Sequence, residues 1–143
     1  MFSFFHAKPD AQAQIKGYPK TPEIEGTISF YGVHGGTVVV ADIRGLPEGN
    51  QFHGFHIHEG KSCTDPGGHY SKEKEQHPNH TGDMPSLLAN NGIAFSAFYT
   101  NRFFPEDVVG KTVIIHEGAD DFKTQPSGDS GAMIACGEIV GQI

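Results

Sequence analysis

The sequence predicts an all-β domain, built as an antiparallel sandwich or barrel. Apolar and polar residues alternate with period two in almost every apolar stretch, as in strands that bury one face. No stretch shows the apolar period of an amphipathic helix. The 19 Gly and 9 Pro of the 143 residues indicate many turns. This length fits one domain, which we expect to span residues 1–143.

The first strand is predicted where Ala11, Ala13 and Ile15 alternate with polar residues. The pair Gly35-Gly36 predicts a hairpin turn between the second and third strands, and a second turn, Gly-Leu-Pro-Glu-Gly-Asn, leads into the fourth. The region from Glu59 to Asn91 has no sustained periodicity and is predicted as one long functional loop. The predicted strands cover residues 11–16, 24–33, 37–43, 52–58, 93–99, 112–116 and 134–140.

The charge balance excludes two classes of partner. The formal net charge is -7 and no window carries a run of basic residues, so we expect no nucleic acid and no anionic membrane as partner. No apolar run approaches the length needed to cross a bilayer. The opening residues, Met1 to His6, lack the basic start and the apolar length of a secretory signal, which predicts a cytoplasmic location.

Histidine is the most informative residue of the composition. Six of the nine His lie between His53 and His80, and such a density indicates a metal site. Because alternate residues of a strand face the same way, His56 and His58 are predicted to project from one face and to share a metal. His53 has the opposite parity, and we expect it to be a structural histidine bonded to the backbone.

The remaining ligand-type residues follow in the long loop and at the end of a later strand. In the loop, three histidines and a carboxylate match a complete nitrogen and oxygen set for tetrahedral zinc: His69, His77, His80 and Asp83. His116 ends the apolar strand that begins at Thr112 and supplies the further ligand that the pair His56 and His58 needs.

Four separated segments, in this order, resemble the copper/zinc superoxide dismutases, in particular the bacterial type with a short electrostatic loop. The resemblance extends from about Ala11 to Val140. The segments are Gly54-Phe55-His56-Ile57-His58-Glu59, His80-Thr81-Gly82-Asp83, Val113 to Asp121, and Gly128-Asp129-Ser130-Gly131 running into Ile134-Ala135-Cys136-Gly137.

The resemblance implies an eight-stranded antiparallel Greek-key barrel of immunoglobulin-like architecture, with two long functional loops. It also implies two cofactors, copper and zinc, with His69 as a bridging imidazolate between them. Asp120 matches the carboxylate that fixes one copper and one zinc histidine. Cys63 and Cys136 match the intrasubunit disulfide of the family, the alternative being two free buried thiols. The implied ligands are His56, His58, His69 and His116 for copper, and His69, His77, His80 and Asp83 for zinc.

The activity implied by the resemblance is the dismutation of superoxide to O2 and H2O2. Its chemistry requires a metal that accepts an electron from one superoxide and returns it to the next, which copper does and zinc does not. Two alternatives stay open: a non-catalytic copper or zinc binding protein on the same scaffold, and a zinc-dependent hydrolase. The sequence also leaves open whether the protein is a monomer or a homodimer.

Two departures from the family pattern bear on activity. Met133 occupies the position where the family usually places the Arg or Lys that draws the anion to copper, and the segment from Asp121 to Gly128 is short. We therefore expect slow turnover, unless Lys123 or Arg102 replaces the missing cation. The family also separates the last two zinc histidines more widely than His77 and His80. This spacing predicts a tight turn, which Pro78 would help to begin.

Overall fold

The computed structural model describes residues 8–142. Nine strands form antiparallel pairs, and the one helix in this range is a single turn, α1 (Pro105–Val108). That turn is far too short to cross a membrane. The opening residues, from which we predict a cytoplasmic location, lie outside the described range. The strands are β1 (Ala11–Gly17), β2 (Glu25–Val33), β3 (Gly36–Arg44), β4 (Gln51–His53), β5 (Phe55–His58), β6 (Leu87–Ala89), β7 (Ala94–Thr100), β8 (Thr112–His116) and β9 (Met133–Gly141).

The strand order is that of a curled antiparallel sheet with Greek-key connections. Seven strands follow one another as β5-β8-β9-β1-β2-β3-β7, and β4 pairs separately with β6. The first and last strands are neighbours, with Ala13 opposite Ile139. When β4 and β5 are counted as the two halves of one bent strand, the described residues contain eight strands. The predicted all-β Greek-key architecture is therefore confirmed.

The interior is filled by the alternate residues that the period-two pattern selects. Ala11, Ala13 and Ile15 of β1 are all at most 2% exposed, whereas the polar residues between them are not buried. Burial of such side chains stabilises the fold by roughly 1.5–3 kcal/mol for each large one. The largest fully buried side chains include Phe30, Phe55, Phe103, Ile28, Ile57 and Ile115.

Three details of the predicted elements are wrong. The hairpin turn between β2 and β3 is His34-Gly35, where Gly35 has φ 79°, and Gly36 already pairs with Val33. The predicted strand 52–58 is divided at Gly54, because the residues before it pair with β6 and the residues after it pair with β8. The long loop ends before the short strand β6, which lies within the region where we predicted no strand.

Candidate metal centre

Two paired strands carry three of the histidines. His56 and His58 lie on β5, which pairs with β8, and His116 is the last residue of β8. Because β5 alternates, the two β5 rings share one side, with ring centroids 6.3 Å apart, and the His116 ring lies 4.9 Å from that of His56. All three side chains are buried. The shared face predicted from the spacing of His56 and His58 is present.

The long loop delivers the fourth histidine to the same place. His69 forms an isolated antiparallel bridge with His58, and its ring stacks on that of His56 at a centroid distance of 4.0 Å. One ligand atom from each of His56, His58, His69 and His116 lies within 4.8 Å of the others. The structure therefore brings together the four residues that the sequence predicts for copper.

The three loop histidines also converge on one carboxylate. His69 Nδ1 lies 2.8 Å from Asp83 Oδ1, while the Nδ1 atoms of His77 and His80 lie 3.1 and 2.9 Å from Asp83 Oδ2. The turn that this spacing requires is present: the Asn79 N–H donates to the Gln76 carbonyl, and the Asp83 N–H donates to the His80 carbonyl. The four residues predicted for zinc thus lie side by side.

The Asp120 carboxylate lies between the two clusters. It accepts hydrogen bonds at 2.7 Å from His56 Nε2 and from His77 Nε2, and a third at 2.7 Å from the Phe122 N–H. Burial acts to raise the pKa of Asp120, but these hydrogen bonds outweigh it and hold that pKa below its usual range. The carboxylate is therefore ionised and fixes both rings, as predicted.

The three histidines on β5 and β8 are His56, His58 and His116. Each donates one ring N–H to a partner outside the cluster, and its other ring nitrogen makes no hydrogen bond. His58 Nδ1 donates to the Gly67 carbonyl at 2.7 Å, and His116 Nδ1 to the Gly131 carbonyl at 3.2 Å. Together with the bond from His56 to Asp120, these contacts determine which nitrogen carries the proton. The opposite nitrogen of each ring then presents a lone pair to the cluster.

The free nitrogens provide a test of whether these residues fit a metal. Buried polar atoms almost always have a hydrogen-bond partner, so an exception needs an explanation. Within residues 8–142, six buried ring nitrogens of the two groups make no hydrogen bond, although two of them, on His77 and His80, lie close to Asp83 Oδ2: His56 Nδ1, His58 Nε2, His69 Nε2, His77 Nδ1, His80 Nδ1 and His116 Nε2. Neutral imidazole nitrogens and a carboxylate are the donor set of copper and zinc sites. The residues present fit both metals.

Burial keeps these histidines in the form that binds metal. It lowers the pKa of His58 to about 3 and that of His116 to about 4, and it also lowers the pKa of His56 and His80. Burial acts to raise the pKa of Asp83, but the hydrogen bond from His69 outweighs it, so the pKa lies below its usual value. At neutral pH His56, His58, His80 and His116 are therefore neutral imidazoles, and Asp83 and Asp120 are ionised carboxylates.

Comparison with known proteins decides the family. The Copper/zinc superoxide dismutase (SODC) family profile matches residues 24–139. The chain belongs to the copper/zinc superoxide dismutase family. It is 32% identical to the superoxide dismutase [Cu-Zn] of Legionella pneumophila over 151 residues, covering 97% of this chain and 92% of that protein. It is 31% identical to that of Deinococcus radiodurans over 144 residues, covering 82% of this chain and 78% of that one.

A solved structure has a similar fold. The crystal structure of the clock protein EA4 superposes with a TM-score of 0.80 at 27% identity, covering 95% of this chain and 97% of that one. The copper/zinc superoxide dismutase family uses copper and zinc, and this chain has the groups able to hold metal. The family disulfide is also present, since Cys63 and Cys136 are bonded, which excludes the alternative of two free thiols.

The residues outside the clusters divide into expected and missed contacts. His53 is fully buried, and its Nδ1 donates to the His116 carbonyl at 2.9 Å, which confirms a structural role. Met133 lies beside His116 in the β8–β9 pairing and is 37% exposed. Arg102 is a candidate replacement for the missing cation. Its guanidinium donates hydrogen bonds to backbone carbonyls of the long loop. The sequence carries no signal for such contacts, since every residue has a carbonyl.

Gly128 is a second residue that the sequence analysis missed. It has φ 77°, and a Cβ at this position would lie 1.9 Å from Asp120 Oδ1 and 2.6 Å from His77 Nε2. Its N–H and carbonyl bond to Thr124 and Asp121, so the segment after β8 folds directly over the Asp120 carboxylate. Only glycine combines this backbone conformation with this close approach.

Proposed function

We propose that this chain is an enzyme, a superoxide dismutase that converts two superoxide ions and two protons into O2 and H2O2. The observation that carries the proposal is a set of buried ring nitrogens without hydrogen-bond partners on His56, His58, His69 and His116. The ligand atoms of these four residues lie within 4.8 Å of one another. His56, His58, His69 and His116 would hold copper. His69, His77, His80 and Asp83 would hold zinc.

Copper bound at the first group supplies the redox chemistry, because it takes one electron from a superoxide ion and returns one to the next. His69 belongs to both groups: its ring lies 4.0 Å from that of His56, and its Nδ1 lies 2.8 Å from Asp83 Oδ1. Its Nε2 would bind copper in one half of the cycle, and in the other half, when it does not bind copper, it would hold a proton for the second superoxide ion. Asp120 keeps the rings of His56 and His77 in the orientation that both groups need.

The charges around the site explain why we expect slow turnover of superoxide. Superoxide is an anion and the chain carries a net charge of -7, so its encounter with the site depends on local positive charge. Met133 provides none beside His116, and the guanidinium of Arg102, which keeps its charge, is directed at carbonyls of the loop that carries the proposed zinc ligands. We therefore propose that turnover is slower than in relatives that carry a guiding cation.

The test is the decay of superoxide, generated by pulse radiolysis at low salt, in the presence of protein with measured copper and zinc content. We expect superoxide to decay with a second-order rate well above the rate in a control, which is buffer containing the same protein stripped of metal. A background rate despite full copper occupancy would overturn the enzyme proposal and indicate a metal-binding protein on the same scaffold. Binding of zinc with no binding of copper would instead indicate the hydrolase alternative.

A further inference from the structure

One guanidinium faces three backbone carbonyls of the loop that carries the proposed zinc ligands. Arg102 Nη1 donates to the Pro78 and His80 carbonyls, both at 2.9 Å, and lies 3.5 Å from the Asp83 carbonyl. Two of these carbonyls belong to proposed zinc ligands, and the third belongs to the residue after His77. One side chain therefore contacts the backbone at three places in the turn that brings the zinc-side group together.

The barrel fixes the position of Arg102. The residue lies two positions beyond β7, and its N–H donates to Thr100 Oγ1 at 3.1 Å. The next residue, Phe103, is 1% exposed and packs against Phe30 of β2 in an edge-to-face contact with ring centroids 6.2 Å apart. Because Phe103 is held in the core, the guanidinium projects from a rigid base toward the loop.

We propose that Arg102 is a positioning residue for the zinc site. A charged guanidinium makes stronger hydrogen bonds than a neutral donor, and one of its nitrogens, Nη1, contacts all three carbonyls. With the backbone of residues 78–83 held in this way, the side chains of His80 and Asp83 face each other, with Nδ1 and Oδ2 2.9 Å apart. Arg102 thus stabilises the ligand arrangement before metal binds. This inference rests on the zinc site of the proposed function.

A second contact between the same two segments supplies a matched control. Lys72 Nζ lies 3.1 Å from Asp107 Oδ2, but the Lys72 and Asp107 side chains are 42% and 28% exposed. Such surface pairs contribute little, because solvent screens them and both side chains lose rotational freedom. Lys72→Gln removes one cation and one contact between these segments and leaves the turn at residues 78–83 untouched.

The experiment measures zinc affinity in the full chain, metal-free at the start, by competition between the protein and a chromophoric chelator for Zn²⁺ alone. We expect Arg102→Gln to raise the zinc dissociation constant by about 10- to 100-fold, as loss of an outer-shell contact typically does. Arg102→Lys is expected to fall between, since an ammonium keeps the charge but carries it on a more flexible stem. Lys72→Gln is expected to stay within about twofold.

Copper affinity, measured in the same variants, separates positioning from general stability. We expect it to change much less than zinc affinity in all three variants, because the strands hold three of the four copper-side histidines and Arg102 does not contact the fourth, His69. Equal loss of zinc and copper affinity in Arg102→Gln, or equal effects of Arg102→Gln and Lys72→Gln on zinc, would overturn the inference. So would a zinc affinity in Arg102→Lys and Arg102→Gln equal to that of the unaltered chain. Failure of the unaltered chain to bind zinc would overturn the proposed zinc site itself.

Discussion

The two halves of the metal centre are built in different ways. On the copper side, three of the four histidines lie on the paired strands β5 and β8, in a register set by backbone hydrogen bonds over the barrel core. On the zinc side, every proposed ligand lies in the connection between β5 and β6. That connection is held by contacts from outside it: the Asp120 carboxylate, the Arg102 guanidinium and the Gln125 side chain.

This difference teaches where each geometry comes from. Folding of the barrel places the copper-side histidines, so their arrangement is as stable as the core itself. The zinc-side arrangement depends on a few polar contacts, each worth about 0.5–1.5 kcal/mol, or roughly 1.5–3 kcal/mol where a charged group takes part. We therefore expect changes in the loop, other than at His69, to affect zinc most, and changes in the strands to affect activity directly.

The largest expected effect comes from removal of a strand-borne ligand. His116→Ala should reduce superoxide decay to the background rate, because the copper-side group loses one of its four nitrogens and β8 offers no replacement. Pulse radiolysis at matched metal content measures this, and circular dichroism checks that the barrel is intact. Full activity in this variant would show that His116 is no copper ligand.

A loop-borne ligand should give a smaller and different loss. Asp83→Ala should weaken zinc binding by more than about 100-fold, above the usual effect of an outer-shell residue, because all three loop histidines face this carboxylate. Residual superoxide turnover should remain, since the strands still hold the copper-side rings. Metal analysis after dialysis against a chelator measures the zinc loss. Complete loss of activity with copper still bound would contradict the proposed division between the halves.

Acid should act on the buried histidines of the metal-free protein. The pKa of His58 is about 3 and that of His116 about 4, both lowered by burial, whereas the unfolded chain binds these protons near pH 6.5. Between these values the unfolded state holds more protons, so the stability of the folded state falls as pH falls.

From about pH 7 to about pH 4.5 we expect the free energy of unfolding of the metal-free protein to drop by about 2 kcal/mol or more, because one pKa unit corresponds to about 1.4 kcal/mol. Urea unfolding curves at several pH values measure this. The variant His58→Gln should flatten the dependence, since it removes one of the two groups. A dependence that rises toward acid, or one that His58→Gln leaves unaltered, would contradict the assignment.

The smallest effect should come from the rim. Met133→Arg should increase the rate of superoxide decay by about tenfold at low ionic strength, because electrostatic steering is worth one to three orders of magnitude in association rate. Added salt should reduce the gain. Met133→Gln, which is polar but uncharged, serves as the control. An equal gain from both variants would show that charge at this position does not guide the anion.

The sequence predicted the strand-borne half of the centre better than its supports. The alternation of side chains along a strand is enough to place His56 and His58 on one face, and the continuous apolar run that ends at His116 is equally clear as a buried strand. The division at Gly54 was not predictable, because it reflects the pairing of its two sides with different strands, β6 and β8. The three residues of β6 are too few for a periodic signal. The partners of Arg102 are backbone carbonyls, which leave no mark in a sequence.

The Asp120 carboxylate couples the binding of the two metals. It accepts a hydrogen bond from one ring of each group, so part of any free energy by which one metal alters the affinity for the other passes through this single residue. Linkage requires that coupling to be reciprocal: the factor by which bound zinc strengthens copper binding equals the factor by which bound copper strengthens zinc binding. Bound copper therefore strengthens zinc binding in the less rigid half by the same free energy as bound zinc strengthens copper binding.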